Sequence, residues 1–225
     1  MNINLERASN ADPRHRLLEA AGEMFAERGF RGTTVREICR RAGTNIATVN
    51  YYFGSKEKLY SAVLQYSLIA AIKKYPPDLG LGENATPEDR LEAFVQSLML
   101  RLLDEGRPAW HGKLMSREIV EPTFALDALV KEVIRPLSGR LQSIVGAVLG
   151  PRASQEEIRL CAESISGQCL HYRHARAVIA RLYPEQKYSR DGLKRLGDHI
   201  TRFSLAALKQ FKKENIRRTR GASQR

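Results

Sequence analysis

Between Thr33 and Lys56 the chain places hydroxyl and amide side chains, Thr33, Thr34, Thr44 and Asn45, at the starts of two short segments with helical periodicity. Residues of this kind cap helices, and the outward N–H groups of a capped first turn carry partial positive charge suited to a phosphate. Elsewhere the reactive side chains are less organised. Cys39, Cys161 and Cys169 are odd in number and form no C-x-x-C pair, which points to reduced thiols rather than a disulfide framework or a zinc site. His171 and His174 stand three apart, but no carboxylate or cysteine joins them at fitting spacing, so no metal is expected. No G-x-S-x-G, H-E-x-x-H, phosphate-cradling glycine loop or coherent carboxylate pair appears. The chain is therefore expected to be neither an enzyme nor a cofactor carrier.

The elements that must position these residues read as helices throughout. A first helix is expected from about Pro13 to Arg28, with Leu17, Leu18, Ala21, Met24 and Phe25 on one face and Gly29 just past its end. Thr34 and Glu37 form a T-x-x-E capping box that opens a second, short helix, and Gly43 supplies the turn that closes it. Asn45 caps a third, whose Val49 and Phe53 would pack against Val35, Ile38 and Ala42. A longer fourth helix starts near Ser55 and stops at Pro76-Pro77, and the acidic, Pro- and Gly-rich stretch after it reads as a loop or linker. Further helices are expected at roughly 87 to 104, 108 to 120, 123 to 134, 136 to 149, 154 to 182 and 189 to 214. The fold class is all-α, about ten helices and no sheet.

Of the 225 residues, 43% are hydrophobic and 28% charged, an ordinary globular composition. No apolar stretch is long enough to span a membrane and no apolar core follows the N-terminal charges, so the expected address is the cytoplasm with no membrane partner. The net charge of +12 is unevenly spread: residues 1 to 60 carry +3, residues 76 to 184 carry −1 and residues 185 to 225 carry +8. A basic excess at both ends fits a nucleic-acid partner for one end, and a solvated basic tail with weak phosphate attraction at the other.

Two short helices joined by a Gly-containing turn and braced by a third are the layout of a DNA-reading helix-turn-helix. The run GFRGTTVREICRRAGTNIATVNYYFGSKEKLYSAVL resembles the signature of the TetR family of bacterial one-component regulators, across nearly all of residues 14 to 64. That resemblance implies an N-terminal helix-turn-helix domain at 13–60, a larger helical effector-binding and dimerisation domain at 61–214, a flexible arm at 1–12 and a basic tail at 215–225. It also implies roles. Thr34 and Arg36 would begin the second helix near phosphates, Thr44 and Asn45 would cap the recognition helix, Ile46, Ala47 and Asn50 would face base edges, and Thr48, Tyr51, Tyr52 and Lys56 would grip the backbone. Lys56 has a second argument, since a cation at a helix start opposes the macrodipole and a nearby phosphate would offset it. Asn45, Ala47, Val49 and Asn50 stand where the common pattern has Ser, Gly, Leu and Tyr, which leaves the base assignments open.

The segment at 108 to 149 and GQCLHYRHARAVIARLYP at 167 to 184 look similar to the C-terminal domain of the CecR-like subgroup. That likeness implies a small-molecule pocket, in members linked to drug or toxicant export, for which Phe94, Trp110, Met115, His171 and Tyr172 are the proposed lining; Arg173 and Arg176 would either meet an acidic effector or pair with surface carboxylates such as Glu156, Glu157 and Glu163. Apolar stripes run through Ile158, Cys161, Ile165, Cys169, Tyr172 and Ile179, and through Leu193, Leu196, Ile200, Phe203, Ala207 and Phe211. They would pair with those of a second subunit, Gly167 and Gly197 permitting close approach, or pack within the chain. The expected protein is a repressor that binds a pseudo-palindromic duplex operator as a homodimer and is released by a small-molecule effector. The alternative is a helical interaction module without specific DNA binding, favoured by the departures at Asn45 and Asn50.

Overall fold

A computed structural model describes residues 12–103 and 108–222, and every regular element among them is helical. The arm expected at 1–12 lies, apart from Asp12, outside the described residues, as do the side chains of the tail from residue 218 on. In chain order the helices are α1 (Pro13–Arg28), α2 (Val35–Ala42), α3 (Ile46–Phe53), α4 (Lys56–Lys74), α5 (Pro87–Leu103) and α6 (Ala109–Val120). They continue as α7 (Ala125–Leu129), a π-helical turn (Val130–Ile134), α8 (Arg135–Leu149), α9 (Gln155–His174), α10 (Arg176–Leu182) and α11 (Arg190–Ala222). No helix of the described residues is long and apolar enough to cross a membrane.

These helices form two compact units. The first holds the described residues through Ala70 together with Pro108–Ile134, and the second holds Ala71–Leu103 and the residues from Arg135 on. Although the sequence groups α6 and α7 with the larger domain, their packing gathers them with α1 to α3.

In the first unit, α1 packs against α2, α3 and α6. Asp12 caps it by accepting the Arg14 N–H at 3.0 Å, and Gly29 ends it at φ 73°, its N–H returning to Phe25. Leu17, Leu18, Phe25, Ile38, Leu59 and Tyr60 are all but fully buried in this unit, and each such side chain contributes about 1.5–3 kcal/mol by leaving water. Gly22 lies under the indole of Trp110, whose ring atoms stand 2.5 Å from where a Cβ would be. The glycine therefore costs helix propensity but admits a large aromatic from α6. Trp110 Nε1–H donates to Glu19 at 3.1 Å, and Glu19 also accepts the Tyr66 hydroxyl at 2.9 Å.

In the second unit, Leu91, Phe94, Val95 and Met99 of α5 join Leu141, Val145 and Val148 of α8, Ile165 and Cys169 of α9, and Ile200 and Leu208 of α11 in one core. Burial pushes the Cys169 thiol up to about 12, so it is held as an inert thiol. Three expectations need correction here. The single helix over 154 to 182 is two, broken at Ala175, and the one over 123 to 134 is a short α-helix followed by a π turn. The last helix does not stop at 214 but runs to Ala222. Its expected apolar stripe divides between two faces. Leu193, Ile200 and Leu208 are buried with Thr201 and Ser204, whereas Phe203 (62% exposed) and Phe211 face outward. The space beside Gly197 is filled by the Gln96 side chain of α5, whereas among the described residues no other side chain lies within 4 Å of where a Cβ on Gly167 would be.

Candidate nucleic-acid interface

The two short helices α2 and α3 owe their lengths to their ends. Thr34 accepts the Glu37 N–H while Glu37 accepts both the Thr34 N–H (3.0 Å) and hydroxyl (2.7 Å), a reciprocal capping box. Thr34 holds the Glu37 carboxyl below the usual range, with Arg28 adding to the effect through a 2.9 Å ion pair. Gly43, at φ 61° and ψ 43°, takes the left-handed conformation that ends α2 and starts the turn into α3. Asn45 then caps α3, accepting the Thr48 N–H at 2.9 Å and its hydroxyl at 3.0 Å. Gly54, at φ 78°, stops α3 after Phe53.

With Val49 and Phe53 buried, α3 turns Ile46, Ala47, Asn50 and Tyr51 outward, Tyr51 being 82% exposed. Tyr52 lies beside Tyr51 with ring centroids 4.9 Å apart in an edge-on pair. Thr34, Arg36 and Asn45 are exposed. Along α3 runs an open groove of about 680 Å³, lined by Pro13 and Arg16 of α1 and by Thr44, Asn45, Ala47, Thr48, Tyr51 and Tyr52. The Thr44 hydroxyl and the Arg16 Nε are buried without a hydrogen-bond partner among the described residues. A buried donor left unsatisfied is costly unless an outside acceptor completes it. Arg16 was not singled out from the sequence, because its place beside α3 arises from packing between helices far apart in the chain.

Other expected contacts sit differently. Thr33 is 0% exposed, and its hydroxyl donates to the carbonyls of Gly29 at 2.9 Å and Met24 at 3.2 Å. Its side chain holds the α1–α2 turn and is not available to a phosphate. The Thr48 hydroxyl is engaged by Asn45, and the Lys56 Nζ stands 4.3 Å over the Phe30 ring, which gives the cation a partner inside the protein.

The five proposed effector contacts fall in different units. Trp110 and Met115 belong to the first unit, where Trp110 is spent on Gly22 and Glu19. Phe94, His171 and Tyr172 belong to the second; Phe94 is buried under the Arg101 guanidinium, Tyr172 is half-buried and His171 is exposed. Burial lowers the Arg101 pKa to about 10, a cation held in the core of that unit. Among the described residues no group of three or more His, Cys, Asp or Glu side chains could hold a metal ion.

A pair of short, separately capped helices joined through a left-handed glycine and braced by α1 defines a helix-turn-helix DNA-binding protein. Residues 17–63 match the family described as bacterial regulatory proteins, tetR family, and residues 87–208 match the HTH-type transcriptional dual regulator CecR, C-terminal domain. The chain belongs to the TetR family, with a C-terminal domain of the CecR type. It is 32% identical to the HTH-type transcriptional dual regulator CecR of Shigella flexneri over 171 residues, 72% of this chain and 76% of that one. It is 27% identical to the HTH-type transcriptional regulator BetI of Brucella anthropi, over 72% and 81% of the two chains. A crystal structure of a tetR-family regulatory protein from Rhodococcus RHA1 shares the fold, with TM-score 0.61 at 19% identity, covering 88% of this chain and 97% of that one. The protein is thus a ligand-responsive transcriptional regulator, and regulators of this family are DNA-binding transcription factors rather than enzymes.

Proposed function

We propose that the chain binds a pseudo-palindromic operator as a homodimer and acts as a repressor released by a small molecule. Residues 13–60 form the DNA-binding part, 61–214 the effector-binding and dimerisation part, and 215–225 a basic tail. The observation that carries this reading is the exposed face of α3 beside an unsatisfied Thr44 hydroxyl and Arg16 Nε. Ile46, Ala47 and Asn50 would meet base edges, the Asn50 amide being suited to adenine. Arg16, Arg36, Thr44, Tyr51, Tyr52 and Lys56 would meet the backbone, which fixes register without reading sequence.

A second subunit is supported by the outward stripe of the last long helix. Phe203, Ala207 and Phe211 face a shallow cavity of about 220 Å³ walled by Cys161, Ser164 and Gln168 of α9. In a two-fold dimer the recognition helices meet half-sites about 34 Å apart, and an effector acts by favouring a conformation in which that spacing is lost.

Selection of bound duplexes from a random-sequence library, with affinities at two salt concentrations, tests the reading. An inverted repeat bound at least a thousandfold more tightly than random duplex is expected, within the usual range of specific over non-specific binding of ~10³–10⁷. Binding without sequence preference would overturn it in favour of a basic interaction module. On the selected site Arg16→Ala is expected to weaken binding to all duplexes alike and to make the salt slope shallower by about one, as loss of a phosphate contact should.

A further inference from the structure

We propose that the first unit carries a site for a small amphipathic anion, a carboxylate on an aromatic or medium-length acyl body, in the cavity between the α1–α2 turn and the end of α6. This deepens the ligand-responsive reading and rests on it. The cavity encloses about 570 Å³, within the ~300–1,000 Å³ typical of small-molecule sites. Its walls divide by chemistry. Phe30, Tyr60 and Phe124 form the apolar side, Phe30 lying 5.2 Å from each of the other two rings in edge-on contact. Arg28, Arg31 and Arg117 form the charged side, with Glu121 the one carboxylate among the lining residues.

The carboxylates around this cavity leave room for another anion. Glu118 is fully buried behind Tyr60, and its oxygens accept the Tyr60 hydroxyl at 2.7 Å and the Thr123 N–H and hydroxyl at 2.9 Å each. Glu37 is taken by Arg28 and the Thr34 cap. Glu121 holds Arg117 only at 3.9 Å and is largely exposed, so Arg117 and the exposed Arg31 face the cavity weakly compensated. The position of Arg117 is built into the backbone. Its Nη1 lies 2.6 Å from where a Cβ on Gly29 would be, and Gly29 has the positive φ that favours glycine. An aromatic floor with guanidinium groups at the rim suits an amphipathic molecule with its head at Arg31 and Arg117 and its body against Phe30 and Phe124.

The site also has a route to the DNA-reading helices. An anion drawn to Arg28 competes with Glu37, and Glu37 is one half of the capping box that starts α2. Occupancy therefore bears on the same residues that set the turn before the recognition helix, and by reciprocity bound operator should weaken the ligand by the factor the ligand weakens the operator.

The test uses the full chain and 8-anilinonaphthalene-1-sulfonate, an aromatic anion whose fluorescence rises in apolar sites. Saturable binding is expected, displaced by decanoate and not by decanol. Arg31→Glu, at an exposed position, should weaken it at least tenfold, and Phe124→Ser should do so by removing the apolar wall, while Val178→Ser, at an exposed apolar position of α10, should change it less than twofold. Absence of binding, equal displacement by decanol, or dye affinity within twofold of the parent in both cavity variants would overturn the proposal. Duplex binding by the same preparations keeps the two readings apart. A chain that binds its selected duplex but no dye at this cavity refutes the site alone, and one that binds dye here without duplex preference refutes the operator-binding reading alone.

Discussion

At the scale of single residues, side-chain types shared between capping and DNA binding are sorted by which partner reaches them first. Asn45 holds the first turn of α3 through the Thr48 N–H and hydroxyl. Asn45→Ala is expected to cost about 1 kcal/mol, the usual worth of an N-cap, and Asn45→Ser to recover most of it, both readable by urea denaturation. Tyr60 makes a sharper case. Its hydroxyl donates to the fully buried Glu118, and burial foremost, then that carboxylate, raises its pKa well above the ordinary tyrosine value. Tyr60→Phe removes a donor from a buried carboxylate and should cost about 1–3 kcal/mol. The sign with pH follows from the proton count. The folded state keeps the proton while the unfolded chain releases it above the ordinary tyrosine pKa of about 10, so parent stability is intact below that pH and falls as pH rises beyond it. In Tyr60→Phe that alkaline fall should be shallower in thermal melts; an unchanged slope would show that the tyrosine does not cause it. The capping box and the outward face of α3 were legible because they depend on neighbours three or four positions away. Thr33 was not, since the Met24 carbonyl that also claims it lies nine positions back and is brought there by the α1–α2 turn, and Arg16 was not, since its neighbour Thr44 lies across a helix packing.

At the scale of helices, periodicity located the elements but not their breaks or their phase. Nothing in the type of Ala175 marks the end of α9; the residue departs from helical backbone at ψ 10°, with neither proline nor glycine to announce it. In α11 the expected stripe divides: Leu193 and Ile200 are buried in the second unit together with Leu208, whereas Phe203, Ala207 and Phe211 face outward. Thr201, Ser204 and Asn215 on the buried side weakened the contrast that would have told them apart. Gly22 is a case where a helix-weakening residue is explained only by a second helix. Gly22→Ala gains about 0.5–1 kcal/mol of helix propensity in α1, but its Cβ would meet the Trp110 ring at 2.5 Å. Overpacking of this kind costs about 1–3 kcal/mol, so a net loss of stability is expected. Combining it with Trp110→Leu should cost less than the two single changes added, because the larger ring is the source of the conflict. Strict additivity in denaturation experiments would place the origin of the loss elsewhere.

At the scale of the whole molecule, function depends on how many copies of α3 reach one duplex. The unpartnered stripe on α11 gives the assembly reading its sharpest test, because Phe203 and Phe211 stand outward while Ile200 and Leu208 beneath them hold the second unit together. Phe203→Arg with Phe211→Arg therefore places two charges on the face without entering that core, and folding of each chain should survive. In a two-fold interface the same residues oppose one another from both subunits, so each change is made twice and like charges meet. Sedimentation is expected to show the parent at twice the chain mass and the double variant at the chain mass. Duplex binding should follow, since two half-sites held by one particle gain from effective concentration what two separate chains cannot, a difference of about 10²–10⁴. The salt slope on the full operator should also fall by about half, as one recognition surface rather than two displaces counterions. A parent that sediments as a single chain, or a double variant with unchanged operator affinity, would mean that the stripe on α11 serves something other than pairing and that one subunit reads the operator alone.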